Sequence, residues 1–211
     1  AMLALFAFAI RELALAEAYT LFFIAPLLIT ALSTVVLREK VRPAHWVAIV
    51  LGMVGVLVAL RPNQEAFFTK GALAVLAAAT CYAVSAITGR MLTRTDSSAS
   101  LVFWTTTLLA LGAGALAWPQ WVGVAQAHWP LVAGLAVTGF AGQLAITEAF
   151  RHGQASVVAP FEYTALAWGM GLDWVLWQAV PGYSTLLGGA IIIGSGLYLV
   201  RQERTQAVVP P

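Results

Sequence analysis

The 211-residue chain is 61% hydrophobic and only 9% charged, with a formal net charge of +2 and a mean hydropathy of +0.86. A soluble domain carries about a quarter charged residues, so a water-soluble fold is excluded, and so small a positive excess excludes a nucleic-acid binder. The single cysteine, Cys81, excludes an intrachain disulfide and a thiolate metal cage.

No basic leader or small-residue cleavage site opens the chain. It starts inside apolar sequence, 1–10, which is about half a membrane span, and we expect the beginning of that helix to lie outside the sequence. Arg11-Glu12 breaks it. Seven further apolar segments follow: 19–37, 45–60, 71–91, 100–118, 129–150, 155–177 and 183–200. Each is near the roughly 17–25 residues of a spanning helix. Polar turns separate them, with Arg42-Pro43, Arg61-Pro62-Asn63, Asp96-Ser97-Ser98, Pro119, Pro130 and Pro181-Gly182 as punctuation. Strands of a membrane barrel would alternate apolar and polar residues. These runs do not, so the reading is all-α: a polytopic membrane helix bundle of roughly eight helices, the first one partial.

If successive segments alternate sides, Arg38, Lys40, Arg42, Arg90, Arg94, Arg151, Arg201 and Arg204 gather on one side. Arg11, Arg61 and Lys70 lie on the other. Basic loops stay cytoplasmic, which puts the C-terminus in the cytoplasm. Trp118, Trp121, Trp129, Trp174 and Trp177 fall at the opposite ends, as an interfacial aromatic belt does.

The stretches LREKVRPAHWVAIVLGMVGVLVALRP and LWQAVPGYSTLLGGAIIIGSGLYLVRQ share one design. Each has an apolar helix end, a short polar turn with proline and a glycine-containing helix. An odd number of spans separates the two turns, so the copies are inverted across the membrane, as in many secondary transporters.

Polar residues inside the spans are the candidate functional groups. Arg11 and Glu12 mark an outer mouth or are a plain exposed pair, and Glu17 stands closer to the membrane. Pro26 is expected to kink the second segment and free a carbonyl, either as a gating bend or as a static one, with Thr30, Ser33 and Thr34 on about the same face. Cys81, Ser85 and Thr88 form a small stripe suited to close helix packing. On 129–150, Gln143 and Thr147 serve either as interhelical glue or as solute contacts. Glu148 is placed for an i, i+3 pair with Arg151, and His152 reads as an exposed loop residue.

Glu162 lies in PFEYTALAW, within an otherwise apolar span. An intramembrane carboxylate is costly and usually faces a bundle interior or a wet cavity. In a continuous helix, Glu162, Leu166, Gly169 and Asp173 would share one stripe. Tyr163, Thr164 and Trp168 would add hydrogen bonds and stacking for a planar or cationic solute. The structural alternatives are a pair between Glu162 and Arg151 or a backbone group near the cytoplasmic end, and an Asp173 solvated at the outer headgroups. Gly188, Gly189, Gly194 and Gly196, with the small-xxx-small pair Ala190 and Gly194, read as helix packing, including at a homodimer contact.

ASVVAPFEYTALAW followed by VPGYSTLLGGAIIIGSGLYLVRQE resembles the last two helices of EamA-type transporters of the drug/metabolite transporter superfamily. APLLITALSTVVLREKV resembles the fourth helix and following turn of the same family. The resemblance covers nearly the whole chain and is most specific at 160–168 and 188–203. It implies ten helices in an inverted five-plus-five repeat, of which this chain holds the end of helix three through helix ten. The implied organisation is 1–62, the end of the first repeat; 63–70, a linker; 71–204, the second repeat; and 205–211, a tail. Where the family carries Gly-Glu before its last helix, as a counterpart of Arg38-Glu39, this chain has Gln178-Ala179.

The reading is a secondary transporter of the bacterial inner membrane that moves a small organic solute by alternating access. Its partners are that solute and the lipid bilayer, with no cofactor and no metal. The expected substrate-binding residues are Glu162, Tyr163, Thr164 and Trp168, with Gln143 and Glu148 opposite, and Tyr19 and Phe22 closing the other wall. Glu162 and Asp173 are the candidates for proton coupling. A non-transporting scaffold or degenerate fragment is the alternative. No HExxH, nucleophile elbow or second cysteine supports an enzyme.

Overall fold

A computed structural model describes residues 2–61, 69–120, 123–178 and 182–207. Most of the expected linker 63–70, Trp121, Ala179, Pro181 and the end of the tail lie outside the described residues. The side chains of Asp173, Trp177 and Arg204 do too. Ten α-helices follow in chain order: α1 (Met2–Ala9), α2 (Leu15–Phe22), α3 (Ala25–Val36), α4 (Pro43–Leu60), α5 (Lys70–Leu92), α6 (Ser98–Ala117), α7 (Trp129–His152), α8 (Ala155–Val158), α9 (Thr164–Trp177) and α10 (Tyr183–Ala207). Among the described residues, three short 3-10 turns join them: Trp118–Gln120, Gln126–His128 and Ala159–Tyr163. There is no strand among the described residues.

The eight apolar segments of the sequence are all helical, but two are broken. Segment 19–37 divides into α2 and α3 at Phe23-Ile24, just before Pro26. Proline has no N–H to give back to the preceding turn, so the helix must interrupt there. Segment 155–177 divides into α8, the 3-10 turn Ala159–Tyr163 and α9, with Pro160 inside the turn. That break changes one expectation. Among the described residues, six helical spans, not seven, are long and apolar enough to cross a membrane: Leu15–Val36, Pro43–Leu60, Lys70–Leu92, Ser98–Ala117, Gln126–His152 and Tyr183–Gln202. It also changes the stripe through Leu166, Gly169 and Asp173, because Glu162 stands in the tighter 3-10 turn rather than on the α-helical face.

The chain forms two compact units, residues 1–87 with 154–211, and residues 88–153. In the first, Ala9, Leu13, Ala18, Leu21, Ala72, Ala74 and Val75 make one buried cluster from α1, α2 and α5. Val56, Tyr163 and Ile192 make a second, from α4, the 3-10 turn and α10. The α4–α10 pairing depends on glycine. A Cβ at Gly188 would collide with the Gly55 carbonyl oxygen, and it would lie 2.7 Å from the Ala59 backbone nitrogen. A Cβ at Gly55 would come within 2.9 Å of the Gly188 carbonyl. Such backbone-to-backbone approach is the usual means of membrane helix association. It runs through Gly55 and Gly188, whereas nothing lies within 4 Å of a Cβ at Gly194.

In the second unit α6 and α7 pack on one another. The Ser97 hydroxyl caps α6 by accepting from Ser100 N–H at 3.2 Å. An Arg90 Nη1 donates to the Arg151 carbonyl at 2.6 Å. Leu116 is 81% exposed, Leu135 74% and Val35 76%. Apolar surface of that extent suits lipid, while the helices satisfy their own backbone polar groups.

Candidate functional site

The two helix breaks bring their residues together in the first unit. Glu162 and Tyr163 occupy the 3-10 turn Ala159–Tyr163. The Tyr82 hydroxyl of α5 donates to Glu162 Oε1 at 3.0 Å, across 80 residues of sequence. A carboxylate accepting from a phenol in a partly buried setting makes a stronger bond than a neutral pair. Glu162 therefore pairs with Tyr82, and the Arg151 partner considered from sequence belongs instead to Glu148, at 3.8 Å. His152 also meets Glu148, at 3.0 Å.

From Tyr82 a chain of aromatic contacts returns to Glu162's neighbour. Tyr82 packs on Phe22 with centroids 5.6 Å apart, and Phe22 on Phe6 edge-on at 5.4 Å. Phe6 meets Tyr19 at 5.4 Å, Tyr19 meets Phe23 at 6.5 Å, and Phe23 meets Tyr163 at 5.8 Å. Separations of 4.5–7 Å with tilted or edge-on planes are those aromatic pairs prefer. The result is a circuit of six rings closed by one carboxylate. Its members come from α1, α2 with the break after it, α5 and the 3-10 turn.

Tyr163 is fully buried. A Cβ at Gly52 would collide with the edge of its ring, so the absence of a side chain there on α4 is what gives Tyr163 its place. Its hydroxyl makes no hydrogen bond among the described residues. Tyr19, by contrast, is 44% exposed, so the circuit has one open side.

Of the residues expected from sequence, Glu162, Tyr163, Tyr19 and Phe22 are thus brought into one circuit. Thr164 and Trp168 are not. The Thr164 hydroxyl donates to the Phe161 carbonyl at 2.6 Å. Trp168 is 73% exposed and lines an apolar groove between α9 and α10 with Phe161, Thr164 and Leu197. Gln143 and Glu148 belong to the other unit, on α7. Gln143 is exposed, and its carbonyl accepts from the Thr147 hydroxyl at 2.7 Å. Sequence reasoning missed Phe6, Phe23 and Tyr82. The one signal for Phe23 was its place three residues before Pro26.

The residues of the circuit can stack on a flat solute and offer one negative charge, and no basic side chain is among them. Among the described residues, no group of three His, Cys, Asp or Glu could hold a metal ion.

The model of the EamA-like transporter family matches residues 1–61 and 69–201. The pseudopaline exporter CntI of Pseudomonas aeruginosa is 27% identical over 93% of this chain and 70% of its own length. A riboflavin transporter of Vibrio cholerae is 32% identical over 85% of this chain and 60% of its own. An S-adenosylmethionine uptake transporter of Rickettsia conorii is 26% identical over 86% and 62%. The chain therefore spans about 60–70% of the length of these relatives. One solved crystal structure superposes with a TM-score of 0.80 at 23% identity, covering 93% of this chain and 72% of that one, which shows the fold alone. These matches favour transport over a bare membrane scaffold. The chain belongs to the EamA-like transporter family, and it is a multi-pass inner-membrane transporter of small solutes rather than an enzyme.

Proposed function

We propose that the chain carries a flat, cation-bearing organic solute, and that the circuit closed by Glu162 and Tyr82 is where that solute binds. The 3.0 Å bond between them carries the reading. Six aromatic faces attract a cation or stack on a planar ring, and Glu162 supplies the matching charge. The names of two relatives fit such a solute: riboflavin is flat, and S-adenosylmethionine is a sulfonium cation bearing a flat base.

Glu162 is also the candidate proton carrier. It exchanges Tyr82 for solute or proton as the two halves of an inverted repeat, 1–62 and 71–204, rock about the site by alternating access. Two features support the repeat. Both turns that follow the broken segments hold a left-handed residue, Arg38 at φ 54° and Gln178 at φ 52°. The helices that follow those turns, α4 and α10, pack through paired glycines. The excess of basic residues in the loops of one side supports a cytoplasmic C-terminus. The exposed Ala190 and Gly194 leave a shallow notch on α10 for a second copy.

The test is uptake and efflux by full-length protein in proteoliposomes, with riboflavin, S-adenosylmethionine and an aryl pyridinium as probes. Wild type is compared with Glu162→Gln, with and without a proton gradient. Flux lost in the variant places Glu162 on the path, whereas equal flux in both removes it.

A further inference from the structure

The N-terminal end of the Glu162-bearing segment is held from a distance. Glu39, in the turn between α3 and α4, reaches the first residues of α8. Its Oε1 accepts from Ala155 N–H at 3.2 Å, and its Oε2 from Ser156 N–H at 3.3 Å and the Ser156 hydroxyl at 3.4 Å. The turn itself is fixed: Arg38 is left-handed, and Glu39 N–H donates to the Ser33 carbonyl at 3.2 Å. Ser33 is buried and binds the Thr30 carbonyl through its hydroxyl at 2.8 Å.

Ordinarily the first N–H groups of a helix are met by a side chain at its own N-cap. Gln154 occupies that position and makes no side-chain cap. The start of α2 shows the ordinary case, since Ala14 N–H donates to the carboxylate of Glu17, three residues on, at 3.2 Å. A cap drawn from 116 residues away does something a local cap does not, because it sets where one element stands against another.

We propose that Glu39 is a positioning residue: it clasps the start of segment 155–177 to the turn after α3 and so sets the register of Glu162 and Tyr163 against Tyr82 and Phe23. Eight residues or fewer separate the clasped N–H groups from Glu162 and Tyr163, through a four-residue helix and a 3-10 turn that transmit displacement directly. The clasp is one-sided. If α2–α3 and α8–α9 are inverted copies, which rests on the proposed repeat, the counterpart of Glu39 is Ala179, which has no carboxylate. The α2 end is accordingly closed on itself by Glu17. Segment 155–177 is held at its start by the other half, and among the described residues no side chain from a distant turn caps the start of segment 15–36.

The experiment uses full-length protein in bilayers, with Cys81 replaced by serine and spin labels at the exposed positions Val35 and Phe161. Wild type should give one narrow distance distribution. Glu39→Ala should broaden it at least twofold, and Glu39→Gln, which keeps one acceptor, should fall between. Gln154→Asp added to Glu39→Ala supplies a local cap; it should restore the thermal unfolding midpoint and leave the distribution broad. An unchanged distribution in Glu39→Ala, or one that the added aspartate narrows to wild type, overturns the clasp. If Glu39→Ala does not fold, Glu39→Gln carries the same comparison. Aryl pyridinium uptake is measured in parallel, where Glu39→Ala should raise the half-saturating concentration about tenfold. A broadened Glu39→Ala beside normal flux in Glu162→Gln would keep the clasp and remove the binding site.

Discussion

The Tyr82 hydroxyl donates to the Glu162 carboxylate across 3.0 Å, joining α5 to the 3-10 turn that interrupts segment 155–177. A hydrogen bond to a charged group is worth about 1.5–3 kcal/mol. Tyr82→Phe removes it and keeps the ring that packs on Phe22. Transport should lose between about tenfold and a hundredfold in the ratio of maximal rate to half-saturation, at 1.4 kcal/mol per factor of ten. Saturation kinetics in proteoliposomes measure it. Loss smaller than twofold would mean that the bond is incidental to transport.

Gly188 and Gly194 lie six residues apart on α10 and should respond differently to alanine. At Gly188 the new methyl meets the Gly55 carbonyl and Ala59, backbone that cannot turn aside. Overpacking of this kind costs about 1–3 kcal/mol. At Gly194 a Cβ meets nothing within 4 Å, so a change within about 0.5 kcal/mol is expected. Thermal unfolding of the purified variants in one detergent checks the pair. Equal destabilisation at both positions would show that the α4–α10 approach does not set how α10 responds to alanine, since helix propensity alone favours alanine over glycine.

Trp168→Ala separates the circuit from the groove. Trp168 is 73% exposed and stands with Leu197 between α9 and α10. The half-saturating solute concentration should stay within about twofold of wild type, as expected of a side chain outside the contact set. Phe23→Ala, by contrast, opens the circuit beside Tyr163 and should weaken apparent affinity by about tenfold, the worth of a lost stacking partner of 0.5–1.5 kcal/mol plus its buried area. A larger effect at Trp168 than at Phe23 would move the solute into the groove.

The segments were legible in the sequence because apolar length alone reports a spanning helix. Glu162 was legible because a carboxylate is conspicuous among apolar residues. What faces what was not. In lipid both the protein-facing and the lipid-facing sides of a helix are apolar, so the periodicity that marks a core in water is nearly silent. Phe6, Phe23 and Tyr82 read like any other aromatic residue in a span, and only the fold places them beside Tyr163 and Glu162. Trp168, a plausible stacking residue five positions from Tyr163, turns outward because the 3-10 turn resets the helical phase at residue 164. Glu39 read as part of a basic loop, and its reach to Ala155 depends on two turns that sequence separates by 116 residues.

Tyr163 provides a test in which stability and transport part company. Its side chain is fully buried, and its hydroxyl has no hydrogen-bond partner among the described residues. A buried polar group left unsatisfied costs about 1–3 kcal/mol. Tyr163→Phe deletes that group and keeps the ring against Phe23 and Gly52. The variant should unfold at the same temperature as wild type or above it. If the hydroxyl is kept for the solute, which supplies the missing partner during transport, uptake should fall about fivefold or more, since an unmade hydrogen bond of about 1 kcal/mol is a factor of five. Both quantities come from one preparation, by thermal unfolding and by proteoliposome uptake. Higher stability with unchanged uptake would assign the hydroxyl to neither solute nor fold. Lower stability would mean that a water already satisfies it within the bundle.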